Sequence, residues 1–310
     1  MSLGGAPGVV VLGGINMDLV TYSDRFPGEG ETIAGERFLT YAGGKGANQA
    51  VAAARMGART AMVGRVGDDI FGPQLVERLR SEGIDVSWVS VTAGASSGIA
   101  SISINGSGQN RIVQVLGANS TCDGAQTSAT AAALLGAHTL MLQLEVPMEV
   151  SLAAAREARA QGKTVILDPG PVRVMPPALL RYCSIVTPNE TEAEAIVGFP
   201  VNDRDTAARA ADALLSRGAE SAVVKLGALG AYYASAGESG YQPAFPVRVV
   251  DTVAAGDAFN GALAVCLAEG MPLPGAVRVA CAAGALAVTT TGAQDSMPTR
   301  AAVDALLASG

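Results

Sequence analysis

The sequence contains one histidine, His138, and one tryptophan, and aromatic residues fill only 4% of its 310 positions. With a single imidazole, a histidine-built metal site and two-histidine catalysis are excluded. His138 itself, just ahead of the apolar stretch 139–146, reads as a surface residue at a strand end. Charge is sparse as well: 16% of residues are charged, and 28 acids against 21 bases give a formal net charge of -7. No clustered basic surface is available, so neither nucleic acid nor an anionic membrane is expected as a partner. Apolar runs are short, none approaching the roughly 18 to 20 residues of a membrane span, and no secretory pattern precedes Val9. The four cysteines, Cys122, Cys183, Cys266 and Cys281, show no CxxC spacing, which suits unpaired thiols in a reducing cytoplasm. Nucleotide motifs of the commoner kinds are missing. GxGxxG does not occur, and Gly162-Lys163-Thr164 is not a Walker loop because Glu157 stands where the first glycine is needed.

What is present is an apolar, glycine-rich chain: 49% hydrophobic residues and 38 glycines without collagen periodicity. Such a composition excludes disorder and predicts a compact fold with a sizeable core. The gly-rich opening, residues 1–8, is set aside. Beyond it, short β-branched runs alternate with Ala-rich helical stretches, the signature of βαβ units around a mostly parallel sheet. Strands are predicted at 9–15, 60–66, 140–146, 164–168, 185–188 and 222–226. Helices are predicted at 46–56, 73–81, 148–161, 206–217, 257–268 and 275–288, several stopping at Gly. Two segments break the alternation, about 19–41 and 96–116. The second reads as a hairpin around Asn105-Gly106-Ser107-Gly108. Since insertions after strands of an α/β sheet project from its carboxyl edge, the two segments are expected to form a small β lid over the ligand site.

The stretch Asp251-Thr252-Val253-Ala254-Ala255-Gly256-Asp257 carries the most chemistry. Small residues there let an anion approach the unpaired N–H groups of a helix N-terminus, where charge developing on a phosphoryl oxygen would be stabilised. The same dipole is expected to keep Asp257 ionised and able to accept a proton. Taken alone, Asp257 is as well read as a helix-start Asp. Tyr41-Ala42-Gly43-Gly44-Lys45-Gly46-Ala47-Asn48 is a glycine-rich turn into a helix, with Lys45 and Asn48 as donors. Asn16 and Asp18 lie just beyond the first strand, and Glu145 ends Gln143-Leu144-Glu145. Asn189-Glu190-Thr191-Glu192 follows another strand and opens a helix, which capping alone would explain.

In order and spacing these motifs resemble the ribokinase-like (PfkB-type) carbohydrate kinases, from about Val9 to Pro298. The resemblance implies one α/β unit over residues 1–310, a three-layer αβα arrangement with a mostly parallel central sheet, and a small β-sheet lid that would mediate a homodimer. It implies an ATP-dependent phosphotransferase acting on a small sugar. The 5-hydroxyl of D-ribose is the first candidate; fructose, a keto-deoxy sugar acid or a nucleoside are alternatives, and a non-catalytic sugar-binding regulator is the rival of another class. By resemblance, Asn16, Asp18, Gly44, Lys45, Asn48 and Glu145 would hold the sugar, and Asp257 would be the base. Ala254, Ala255 and Gly256 would form the anion hole; Asn189, Lys225, Gly227, Gly230 and Gly256 would contact ATP. Glu192 would act on Mg²⁺ through water. A K⁺ loop would comprise the Asp251 side chain, carbonyls of Val253, Ala287, Thr290 and Gly292, and the Ser296 hydroxyl. Lys225 departs from the family pattern, standing where a smaller hydroxyl residue is expected.

Overall fold

Val9, Val10, Val11 and Leu12 are all buried, so the first strand must be covered on both faces. The computed structural model, which describes residues 6–309, shows how. Most of the opening stretch set aside above lies outside those residues, as does residue 310. In chain order the strands are β1 Gly8–Leu12, β2 Asn16–Tyr22, β3 Arg37–Gly43, β4 Arg59–Gly67, β5 Val89–Thr92, β6 Gly98–Ile104, β7 Asn110–Val115, β8 Thr139–Leu142, β9 Thr164–Leu167, β10 Ile185–Val186, β11 Ser221–Lys225, β12 Gly230–Ser235 and β13 Glu238–Pro243. The helices are α1 Lys45–Arg55, α2 Gly72–Ser81, α3 Gly124–Ala133, α4 Met148–Ala160, α5 Pro177–Leu180, α6 Glu190–Val197, α7 Arg204–Ser216, α8 Ala255–Ala268, α9 Leu273–Ala287 and α10 Arg300–Ser309.

Nine strands form one sheet in the order β13-β12-β11-β10-β9-β8-β1-β4-β5. It is parallel from β11 through to β5, and β12 is the reversed strand, pairing antiparallel with β11 on one side and with β13 on the other. Because side chains alternate along a strand, Val9, Val11, Met62, Met141 and Ile166 enter one core with α1, α2, α8, α9 and α10. Val10, Leu12, Val63, Leu140 and Leu142 enter the other, with α4, α5, α6 and α7. The chain therefore stacks helices, sheet and helices in three layers. Each fully buried aliphatic side chain of these cores contributes about 1.5–3 kcal/mol of transfer free energy.

The remaining strands make a separate four-stranded sheet in the order β3-β2-β6-β7. The hairpin expected around residues 105–108 is its β6–β7 pair, closed by the Asn105 N–H on the Gln109 carbonyl at 3.0 Å. The predicted strand 140–146 is shorter than expected: β8 stops at Leu142, and Leu144 N–H bonds the Gly170 carbonyl at 2.9 Å instead of continuing the ladder. The β12–β13 hairpin, α3 and α10 were not among the predicted elements. Strand order reverses between β8 and β1, so the segments leaving their carboxyl ends diverge and open a crevice, the place where sheets of this kind hold ligands.

Candidate active site

Residues 13–16 leave β1 on one wall of this crevice and residues 143–145 leave β8 on the other. Gly44 caps α1 with φ 89°, and a Cβ on it would come within 2.7 Å of the Gly14 carbonyl, so only glycine fits. The turn aims the Lys45 N–H at Glu145 Oε2, 2.7 Å away. Glu145 Oε1 also accepts from Asn16 Nδ2 at 3.3 Å and from Gln114 Nε2 of β7 at 2.5 Å, tying the small sheet to the crevice. Asn119 holds Asn16 in turn, its Nδ2 donating to Asn16 Oδ1 at 2.8 Å. Asp18, on β2, faces the same space. Burial, with Glu145 and Asp257 adding repulsion, pushes its carboxyl up to about 7. Asn16, Asp18, Gly44, the Lys45 backbone, Asn48 and Glu145 are thus gathered in one pocket of acceptors and amides suited to a polyol.

Asp257 lies in the first turn of α8 and is 5% exposed. Its Oδ2 accepts from Asn48 Nδ2 at 2.9 Å and its Oδ1 from Gln49 Nε2 at 3.0 Å. The helix terminus was expected to keep this carboxyl ionised. Burial works against that: together with the repulsion of Asp168 it outweighs the attraction of Lys45 and the two amides, and raises Asp257 above the ordinary carboxylate range. A raised proton affinity is what a base taking a hydroxyl proton requires. Just before it, Ala254 sits at φ 59°, the only non-glycine residue with positive φ among the described residues. Its carbonyl accepts the N–H groups of Asp257 and Ala258 at 3.0 and 2.9 Å. No acceptor among the described residues takes the Ala255 and Gly256 N–H groups, which stay available to an anion.

Behind the pocket stands a charge cluster centred on Asp168, which is 1% exposed. Asp168 Oδ2 accepts from Lys45 Nζ at 2.9 Å and Gln49 Nε2 at 3.0 Å, and Oδ1 from Lys225 Nζ at 3.1 Å. Burial alone would raise Asp168, but the ammoniums of Lys225 and Lys45 hold it below the usual carboxylate range. Lys45, expected among the sugar donors, is therefore divided: its backbone faces the pocket and its ammonium faces Asp168, with Glu192 Oε1 at 3.8 Å. Burial lowers Lys45, yet Asp168, Asp257 and Glu192 carry it well above the ordinary lysine value. Gly170 leaves room for this arrangement, since a Cβ there would lie 2.2 Å from Glu192 Oε1 and 2.8 Å from Lys45 Nζ. Gln143 Nε2 donates to Gln49 Oε1 at 2.6 Å, so one glutamine, itself held by another, joins the two carboxylates. No role was read from the sequence for Asp168, Gln49 or Gln114, nor for Gln143, although it stands in the Gln143-Leu144-Glu145 motif.

Asn189 and Glu192 form the capping box of α6, Oδ1 accepting the Glu192 N–H at 2.8 Å and Glu192 Oε2 the Asn189 N–H at 2.9 Å. The capping reading is therefore realised, and Asn189 Nδ2 and Glu192 Oε1 remain for other work. Burial, then Asp168, raises Glu192. No group of three or more His, Cys, Asp or Glu able to hold a metal exists among the described residues. A single carboxylate suits Mg²⁺ where phosphates and water supply most of its ligands. Gly227 and Gly230 bracket the turn after β11. Asp251 joins two loops: Oδ1 accepts from Val253 N–H at 3.0 Å and Oδ2 from Gly292 N–H at 3.1 Å. The Ala287 carbonyl accepts the Thr290 N–H at 3.3 Å, and Ser296 Oγ donates to the Ala293 carbonyl at 2.8 Å. Carboxylate, carbonyl and hydroxyl oxygens are the donor types a hard alkali cation takes.

Residues 6–300 match the family described as pfkB family carbohydrate kinase. A ribokinase of Haemophilus influenzae is 38% identical over 292 residues, covering 94% of this chain and 95% of that protein. A deoxyribokinase of Salmonella typhi is 36% identical over 291 residues, covering 94% and 95%. Among solved structures, that of Arabidopsis thaliana ribokinase complexed with ribose and ATP superposes with a TM-score of 0.90 at 34% identity, covering 98% of this chain and 99% of that one.

Proposed function

The chain belongs to the pfkB family of carbohydrate kinases, and from that premise we propose that it transfers the γ-phosphoryl group of ATP to the 5-hydroxyl of D-ribose, giving D-ribose 5-phosphate and ADP. The observation that carries this reading is the placement of Asp257: a buried carboxyl of raised proton affinity, in the same helix turn as two free N–H groups and bonded through Asn48 to the polyol pocket. Asn16, Asp18, Asn48, Glu145 and the Gly44–Lys45 backbone orient the sugar. Asp257 takes the hydroxyl proton as O5 attacks phosphorus, and the Ala255 and Gly256 N–H groups receive the charge gathering on the phosphoryl oxygens. ATP extends over Asn189, Lys225, Gly227 and Gly230. Mg²⁺, when bound, neutralises phosphate charge; Glu192 is the residue that would hold it through water. K⁺ at Asp251, with carbonyls of Val253, Ala287, Thr290 and Gly292 and the Ser296 hydroxyl, would fix the loop that carries the anion hole.

Residues 1–310 act as one unit in this reading, with the small sheet as a lid that excludes water. Phe38, Ile112, Val113 and Val115 of that sheet are exposed, which supports a homodimer through the lid; a monomeric mass by light scattering at micromolar concentration would count against it. Among the described residues no helix is long and apolar enough to cross a membrane. Four buried, unpaired cysteines support a reducing, cytoplasmic setting. The deoxyribokinase relative keeps 2-deoxyribose as a second acceptor. The deciding experiment measures ADP release from MgATP with D-ribose, 2-deoxyribose, fructose, keto-deoxygluconate and adenosine, each in potassium and sodium buffer. Ribose-dependent turnover, faster in potassium, is expected. Turnover on another acceptor alone overturns the ribose assignment, and sugar binding without turnover on any acceptor overturns the kinase.

A further inference from the structure

Lys225 ends β11 at the sheet's carboxyl edge, its N–H fixed on the Pro188 carbonyl at 2.8 Å. Its side chain is 11% exposed, and Nζ lies 3.1 Å from Asp168 Oδ1. The same Nζ is 3.4 Å from the position a Cβ would take on Gly256, whose N–H is one of the two free donors of α8. A screened ammonium therefore stands within contact range of the anion-binding helix turn. Asp168 does not depend on it alone. If Lys225 turned away, Asp168 would keep Lys45 Nζ at 2.9 Å and Gln49 Nε2 at 3.0 Å, so its charge would stay compensated. No comparable freedom exists for Lys45, whose ammonium serves both Asp168 and Glu192.

We propose that Lys225 is a catalytic residue that passes from Asp168 to the phosphoryl group in transfer, adding a full positive charge to the two neutral N–H donors of Ala255 and Gly256. The proposal rests on the reading of the site as a phosphotransferase. In the step, the O5–H proton goes to Asp257, an O5–P bond forms, and the bond from phosphorus to the β,γ-bridging oxygen breaks with its electron pair leaving on ADP. Lys225 takes no part in the proton transfer. It exchanges one anionic partner for another, in a space sheltered enough for the charge to act strongly. Because ADP lacks the transferring group, Lys225 should discriminate ATP from ADP, which a residue serving only to pair with Asp168 would not.

The test compares wild type with Lys225→Met and Lys225→Arg, measuring kcat, melting temperature, and ATP and ADP affinity by calorimetry without sugar. Removal of one charge-stabilising donor predicts a fall in kcat on the order of 10²-fold for Lys225→Met. ATP affinity should drop roughly tenfold while ADP affinity stays within about threefold, and Lys225→Arg should recover part of both losses. Turnover of Lys225→Met within threefold of wild type overturns the proposal, as does an equal loss of ATP and ADP affinity. If Lys225→Met does not fold, Lys225→Arg decides: its charge should preserve the preference for ATP, and loss of that preference in a folded Lys225→Arg overturns the proposal. Failure of wild type on every sugar would sink the functional reading separately, and the ATP-to-ADP affinity ratio would still report on Lys225.

Discussion

Replacing Asp257 by Asn removes basicity and keeps the shape, and the structure fixes what else should change. In wild type both carboxylate oxygens are taken, Oδ1 by Gln49 Nε2 and Oδ2 by Asn48 Nδ2. An asparagine can keep the Gln49 bond through its own oxygen, but its amide nitrogen would then meet the Asn48 amide. Asn48 Oδ1 is buried without a partner, so turning the Asn48 amide turns the clash into a bond. Since the lost carboxyl was one that burial had already made costly to ionise, stability should stay within about 1 kcal/mol of wild type. Turnover should fall by about 10²- to 10⁴-fold, the usual range for a general base. Wild-type kcat should decline as pH falls through the raised Asp257 value, because the base acts deprotonated, and the variant should lack that limb. The assay is ADP release between pH 5 and 9 beside thermal melting. A folded Asp257→Asn enzyme within tenfold of wild-type turnover would falsify the assignment.

Three further expectations concern stability. Asp18 is raised from 3.8 to about 7 in the fold, so the folded chain binds a proton there that the unfolded chain releases. Its contribution is present below pH 4 and is lost as pH rises through about 7. Asp18→Asn should therefore melt higher than wild type at pH 8 and show no such gain at pH 4; equal differences at both would refute the linkage. Asp168→Asn leaves two ammoniums without their buried partner and should lose about 3–5 kcal/mol in urea unfolding at pH 7, where a loss under 1 kcal/mol would contradict the cluster's role. Ala254→Gly relieves the left-handed strain at φ 59°, about 1–2 kcal/mol, against the added freedom of glycine in the unfolded chain. A net gain of up to about 1 kcal/mol should appear as a higher melting temperature, and a lower one would mean that the alanine methyl packs favourably.

The parts of the molecule legible from sequence are those whose local pattern and function coincide. Doubly covered strands read as unbroken aliphatic runs, and the glycines before Lys45 and Asp257 mark backbone that must be closely approached. The β12–β13 hairpin stayed hidden because Gly230, Gly237 and Gly240 break its alternation, and α3 because its Thr and Ser residues weaken helical propensity. Asp168 shows the deeper reason for what could not be read. In sequence it is a carboxylate at a strand end before a proline; in the fold it meets lysines 123 and 57 residues away. Gln49 likewise reads as one residue on the inner face of an Ala-rich helix, and nothing in that helix reveals that carboxylates from two other segments converge on it.

Asp257 makes the same point through the direction of its shift. The helix dipole favours the ionised carboxylate, but its effect is confined to the first turn and is worth a fraction of a kcal/mol to about 2 kcal/mol. Desolvation of a carboxyl with only 5% exposure is the larger effect, and it is a property of the assembled crevice, fixed by the helices and loops that cover it. A motif can therefore locate a catalytic acid or base, while its proton affinity is decided by groups that only folding brings together. For this chain Lys45, Gln49 and Asn48 temper the effect of burial, so removing the Gln49 amide should move the pH limb of turnover upward, as a pH profile of ADP release would show.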